Sequence, residues 1–156
     1  MKKILTIIIS IVVAQLAGVI GSIFTAPSIQ TWYVYLEKPF FSPPNWLFAP
    51  AWITLYVLMG IAVFFVWQKR REPGAKLALQ LYFLQLVLNA WWSVIFFGLM
   101  NPFLALLEII ILWGVIAITI LKFYKIEKLS GLLFVPYLLW VTFATVLNFA
   151  IWQLNM

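Results

Sequence analysis

The chain has 156 residues, of which 66% are apolar, 19% aromatic and 9% charged, with a net charge of +6. Its mean hydropathy is +1.10. So little charge cannot cover a water-soluble globule, where about 25% is usual; disorder, which needs low hydrophobicity, is excluded as well, and the length fits an all-α integral membrane bundle of five transmembrane helices at about 20 residues each.

The first predicted span covers residues 4–25, after Lys2 and Lys3. A secretory signal peptide is the rival, but the run is longer than an h-region of about 7–15 residues and no A-x-A site ends it. Ser10, Ala14, Gly18 and Ser22 recur every four residues along it. Such small-residue stripes let helix backbones approach closely, and two readings stand: packing within the bundle, or the seam of a homodimer. A long first loop, 26–45, is expected next, because it holds Pro27, Pro39, Pro43 and Pro44.

The second span, 46–67, carries Trp52 and Tyr56 one turn apart, and the basic turn 68–76 follows. The third span, 77–97, places Gln85, Asn89 and Trp92 on one face. Trp91 lies about 100° away around that helix. Residues 98–102 form a connector in which Asn101–Pro102 signals stop and restart. The fourth span, 103–121, contains Glu108, the one acid inside a span, read as neutral or bonded to an indole N–H or a backbone group. A second basic loop, 122–130, precedes the fifth span, 131–154, where Pro136, Trp140, Ala144 and Asn148 repeat every four residues. With connectors this short, the whole chain, 1–156, reads as one domain.

Nine of the ten basic residues fall on one side of this layout, and only Lys38 on the other. By the positive-inside rule the N-terminus is cytoplasmic in a bacterial cell membrane. The positive charge therefore reports topology and not nucleic-acid binding. With no Cys and no His, thiolate nucleophiles, sulfur-held metals and the commonest general base are excluded.

Polar groups inside spans are costly unless partnered, and so point to function. If the aromatic and amide faces of the second, third and fifth spans converge, they enclose an apolar cavity with a few amide groups, suited to a flat hydrophobic ligand. The alternative is packing alone, with Trp32, Trp46, Trp67 and Trp152 anchoring span ends at the headgroups.

Several stretches then resemble the translocator protein family (TspO/MBR, the peripheral-type benzodiazepine receptor). They are Trp32-Tyr33 with Leu36-Glu37-Lys38-Pro39, Ser42-Pro43-Pro44, Pro50-Ala51-Trp52, Leu88-Asn89 with Trp92 and Phe96-Phe97-Gly98, Pro136-Tyr137-Leu138-Leu139-Trp140, and Phe143-Ala144-Thr145 with Leu147-Asn148. The resemblance covers about residues 10–153. It implies a five-helix bundle, often dimeric, with a cavity toward the first loop that takes tetrapyrroles such as protoporphyrin IX, sterols in eukaryotes, or benzodiazepine-type drugs. It implies that Trp52, Asn89, Trp92, Trp140, Ala144 and Leu147 line that cavity, to which the spacing adds Tyr56. It also implies that Trp32, Pro43 and Pro44 belong to a lid. Phe149 and Gln153 stand where animal members carry the Tyr and Arg of a sterol motif, and Leu104 stands at a drug-contacting Trp position. Glu108 matches an acidic family position.

The expected function is thus a membrane receptor, sensor or transporter for porphyrins. The alternative is a light- and oxygen-dependent porphyrin-degrading enzyme using Trp52 and Trp140. No cofactor and no metal are expected, porphyrin being the ligand. The expected partners are the bilayer and a second copy of the chain, through Ser10, Ala14, Gly18 and Ser22.

Overall fold

The computed structural model describes residues 2–156. Among these, five helices carry the chain: α1 (Lys2–Thr31), α2 (Asn45–Gln68), α3 (Ala75–Ser93), α4 (Pro102–Ile126) and α5 (Lys128–Leu154). All five are long and apolar enough to cross a membrane. A single 3-10 turn, Tyr33–Tyr35, follows α1, and a π-helical turn, Val94–Gly98, ends α3. The helices close into a ring in the order α1–α2–α5–α4–α3, each packed on two neighbours.

Two boundaries differ from the sequence expectation. The first loop begins near residue 32 and not at 26, because α1 continues through Pro27. A proline removes one ladder bond from the preceding turn, and membrane helices absorb that loss. The helix continues past it, with Thr31 Oγ1 donating to Pro27 O and the Trp32 N–H donating to Ser28 O. The fourth helix runs to Ile126, so the second basic loop shrinks to a joint at Glu127. Lysines end an apolar run without ending a helix, since lysine is a good helix former.

The connectors are built from local chemistry. Gly74 takes a left-handed φ of 84° ahead of α3, which glycine adopts without steric cost. Asn101 caps α4, its Oδ1 accepting from the Leu104 N–H at 3.0 Å, with Pro102 opening the helix. Gly131 lets α5 fold back against α4: a Cβ there would lie 2.8 Å from Tyr124 Cα.

Each end of the bundle has its own tie. At the basic end, Lys69 Nζ meets Glu127 Oε2 at 3.0 Å and donates to Ile126 O, joining the α2–α3 and α4–α5 connections. At the other end, Asn155 Oδ1 accepts from the Glu37 N–H and Asn155 Nδ2 donates to Glu37 O, both at 2.9 Å. This pair pins the first loop to the C-terminus.

The small-residue stripe of α1 does not form an outward seam as a whole. Ala14 is fully buried, and a Cβ on Gly18 would fall 2.5 Å from the Tyr56 ring. Both therefore pack within the chain, while Ser10 is half-buried and Ser22 exposed.

Candidate functional site

A cavity of about 420 Å³ occupies the end of the ring nearest the first loop. All seven residues expected to line one cavity do so. Trp52 and Tyr56 come from α2, Asn89 and Trp92 from α3, and Trp140, Ala144 and Leu147 from α5. They converge because each set repeats at helical spacing on the inward face of its helix.

The aromatic wall has defined geometry. Trp52 stacks on Tyr56 with centroids 5.5 Å apart and planes at 28°. Trp140 meets Trp52 edge-on, at 6.4 Å and 83°. Phe48 closes on Trp140 at 6.2 Å. Across the cavity Trp92 stacks on Phe96 at 5.0 Å and 25°. Its Nε1 donates to Asn148 Oδ1 at 3.1 Å, and Asn148 Nδ2 donates to Pro102 O at 2.8 Å. Trp92 is thereby fixed to α4 and α5. The indole N–H groups of Trp52 and Trp140 have no such partner among the described residues.

The floor is a chain of hydrogen bonds. The Tyr56 hydroxyl donates to Asn89 Oδ1, and Asn89 Nδ2 donates to the Tyr137 hydroxyl at 3.0 Å. Asn89 thus satisfies two buried phenols and joins three helices. Burying an amide in lipid is tolerable only with partners of this kind.

The predicted lid residues sit differently. Trp32, Pro43 and Pro44 are not in the cavity wall; Tyr33, Asn45 and Phe48 from the same stretch are. Trp32 packs edge-on against Phe96 at 5.7 Å, and Pro44 is the cap of α2. These residues shape the loop, while their neighbours roof the cavity. Tyr33 is buried, with Lys38 Nζ 4.7 Å from its ring centre. Burial pushes its hydroxyl above the usual tyrosine pKa, a hydrogen bond with Ser42 acting the other way.

Other polar candidates separate from the site. Gln85, one turn from Asn89, is buried below the floor, where its Nε2 approaches Met59 Sδ at 3.8 Å. Glu108 is buried outside the cavity wall. Of the two readings, neutral or bonded to an indole N–H or a backbone group, the bonded one is not what the structure shows: neither carboxyl oxygen has a hydrogen-bond partner among the described residues. Trp91 is 54% exposed and faces away from the cavity.

Sequence reasoning missed one wall. Helix α1 lines the cavity through Gln15, Gly18, Gly21 and Ile29, among others. Gly18 and Gly21 are the available signal, but the sequence reading takes Gly18, with Ser10, Ala14 and Ser22, as a packing or dimer position and makes no use of Gly21. Tyr137 and Asn155 were also missed. Tyr137 lies off the four-residue repeat of α5, and Asn155 lies beyond the last span.

The TspO/MBR family model matches residues 10–153. The chain is 47% identical over 153 residues to the "Tryptophan-rich protein TspO" of Archaeoglobus fulgidus, covering 98% of this chain and 99% of that one. It is 41% identical over 124 residues to the "Tryptophan-rich sensory protein" of Cereibacter sphaeroides, covering 80% and 77%. It is 37% identical over 138 residues to the "Translocator protein" of Homo sapiens, covering 87% and 82%.

Proposed function

This chain belongs to the TspO/MBR family, and from that premise we propose that it is a multi-pass membrane receptor or transporter that binds porphyrins, protoporphyrin IX among them, in the aromatic cavity. The observation that carries the reading is the Trp52–Trp140 corner. A flat macrocycle that stacks on one indole meets the edge of the other, and aromatic pairs of both kinds are favourable. The two unengaged indole N–H groups offer donors to the acidic or carbonyl substituents of such a ring. Protoporphyrin IX carries no iron, so its recognition rests on the ring face and the ring substituents. The N-terminus and the basic loops lie on the cytoplasmic side of a bacterial cell membrane in this reading.

The test is equilibrium binding of protoporphyrin IX to the purified protein in detergent, in the dark, followed by Trp quenching and by the porphyrin absorption band. Saturable binding in the micromolar range is expected. Replacing Trp52→Phe and Trp140→Phe together weakens it about tenfold, equal to about 1.4 kcal/mol. Unchanged quenching and affinity in that double variant would remove the cavity from the account.

A further inference from the structure

Helices α1 and α2 run antiparallel, Ile11 lying beside Gly60 and Gln15 beside Ile53. They touch closely where a Cβ on Gly60 would fall 2.5 Å from Ile11 Cα. About one turn further along α1, Gln15 Nε2 donates to Ile53 O at 3.1 Å and bridges the two helices. Past that bridge the wall opens. Val19 is 57% exposed and Ile53 56%, and Ser22, Ala26 and Ala49 are exposed as well, yet all five line the cavity. A side chain that borders an interior space and also meets the outside marks a gap in the wall.

The gap has a definite frame. Its sill is the Gln15–Ile53 bridge, and its jambs are the small residues Ser22 and Ala26 on α1 and Ala49 on α2. From Val19 to Ala26 it rises about 10 Å along the helix axis. Both jambs belong to helices long and apolar enough to cross a membrane, so in a bilayer the gap opens sideways, toward the lipid, near the first-loop end. The roof, by contrast, is tied: Asn155 grips both backbone groups of Glu37, and Tyr33 is buried beneath it.

We infer that this α1–α2 window is the route by which the guest enters and leaves, sideways through the lipid, and that the pinned first loop is a fixed cover. The inference rests on the cavity being a porphyrin site. The apolar ring of a porphyrin already in the bilayer passes from acyl chains to an apolar wall without crossing water, so the ring sheds no hydrophobic stabilisation on the way, while its acidic substituents stay toward the headgroups at the first-loop end. The small jamb residues have a role on this account: they keep the passage clear.

The experiment measures exchange rates of protoporphyrin IX with the full chain in phosphatidylcholine vesicles, in the dark, by stopped-flow porphyrin emission. Ser22→Trp and Ala49→Trp each fill the window from one side. A narrowed passage slows association, by about tenfold here, whereas a change of contacts with the bound ring acts mainly through the off-rate. Asn155→Ala, which frees the first loop, leaves both rates as they were. The inference is overturned if the window variants exchange at the wild-type rates, or if they lose affinity with association intact. It is equally overturned if Asn155→Ala is the variant that speeds exchange. If the wild-type protein takes up no porphyrin, both this inference and the functional reading fall; wild-type binding with window-independent rates sinks this one alone.

Discussion

On the basic-loop side of the Tyr56–Asn89–Tyr137 floor, the bundle is solid. Tyr82, Phe123 and Phe134 form a ring-on-ring cluster, with Tyr82 and Phe123 stacked at 6.0 Å and 21° and Phe134 edge-on to both. Met59, Val66 and Ile116 fill the space around them with no exposed surface. On the first-loop side, residues of the same chemical classes stand around a hollow. The contrast comes from placement. Below the floor, rings from α3, α4 and α5 point at one another. Above it, α4 stands behind the wall, and the rings of α2 and α5, which meet each other, face those of α3 across the cavity. Aromatic content alone therefore does not distinguish core from site; what rings find opposite them does.

This contrast breaks most sharply if packing and binding are separated by substitution. Phe134→Ala removes a fully buried ring from the solid half and lowers stability by about 3–5 kcal/mol, read as a fall in the thermal midpoint in detergent. Protoporphyrin affinity of the folded fraction stays as in the wild type. The Trp52→Phe, Trp140→Phe pair shows the reverse, with weakened binding and a midpoint little changed.

The floor itself belongs to both halves. Asn89→Leu leaves the Tyr56 and Tyr137 hydroxyls buried without their partner and costs about 2 kcal/mol in stability. It also weakens porphyrin binding, because the base of the cavity loses its order. A drop in the thermal midpoint with unaltered affinity would place Asn89 wholly with the solid half.

The helices were legible in the sequence because an apolar run of about 20 residues has few alternatives in a membrane. Their ends were less so. Pro27 looked like a stop and was not, and Lys122 and Lys125 ended the apolar run while the helix continued beneath them. The cavity residues of α2, α3 and α5 were visible because aromatic and amide residues at helical spacing stand out against Leu, Ile and Val. The wall from α1 was not visible: Gly18 and Gly21 contribute by lacking a side chain, and a sequence does not say whether that room is taken by a neighbouring helix or left open. In fact Gly18 does both, abutting Tyr56 while bordering the cavity. The Asn155–Glu37 clamp joins residues 118 apart, and no local pattern announces it.

The smallest expected effect lies at the basic end. Lys69, hydrogen-bonded to Glu127, holds that carboxyl below the ordinary glutamate value of 4.5, aided by the Leu129 N–H. The same pairing raises the Lys69 ammonium above its ordinary 10.5. The carboxylate's contribution to stability is therefore present above pH 4.5 and is lost as pH falls through the lowered value. The ammonium's contribution is present below 10.5 and is lost as pH rises through the raised one. The pair is partly exposed, and ion pairs open to water contribute little. Glu127→Gln should flatten the acid side of the midpoint-against-pH curve slightly and leave porphyrin binding unmoved. An acid limb identical in variant and wild type would show that the tie contributes nothing measurable.

The most direct measurement follows the nine indole N–H signals of the labelled protein by NMR as protoporphyrin IX is added in the dark. A macrocycle in the cavity shifts Trp52 and Trp140 by its ring current and leaves Trp46 and Trp67, on the outer surface, near their starting positions. Shifts confined to those outer indoles, with Trp52 and Trp140 unmoved at saturation, would contradict the account.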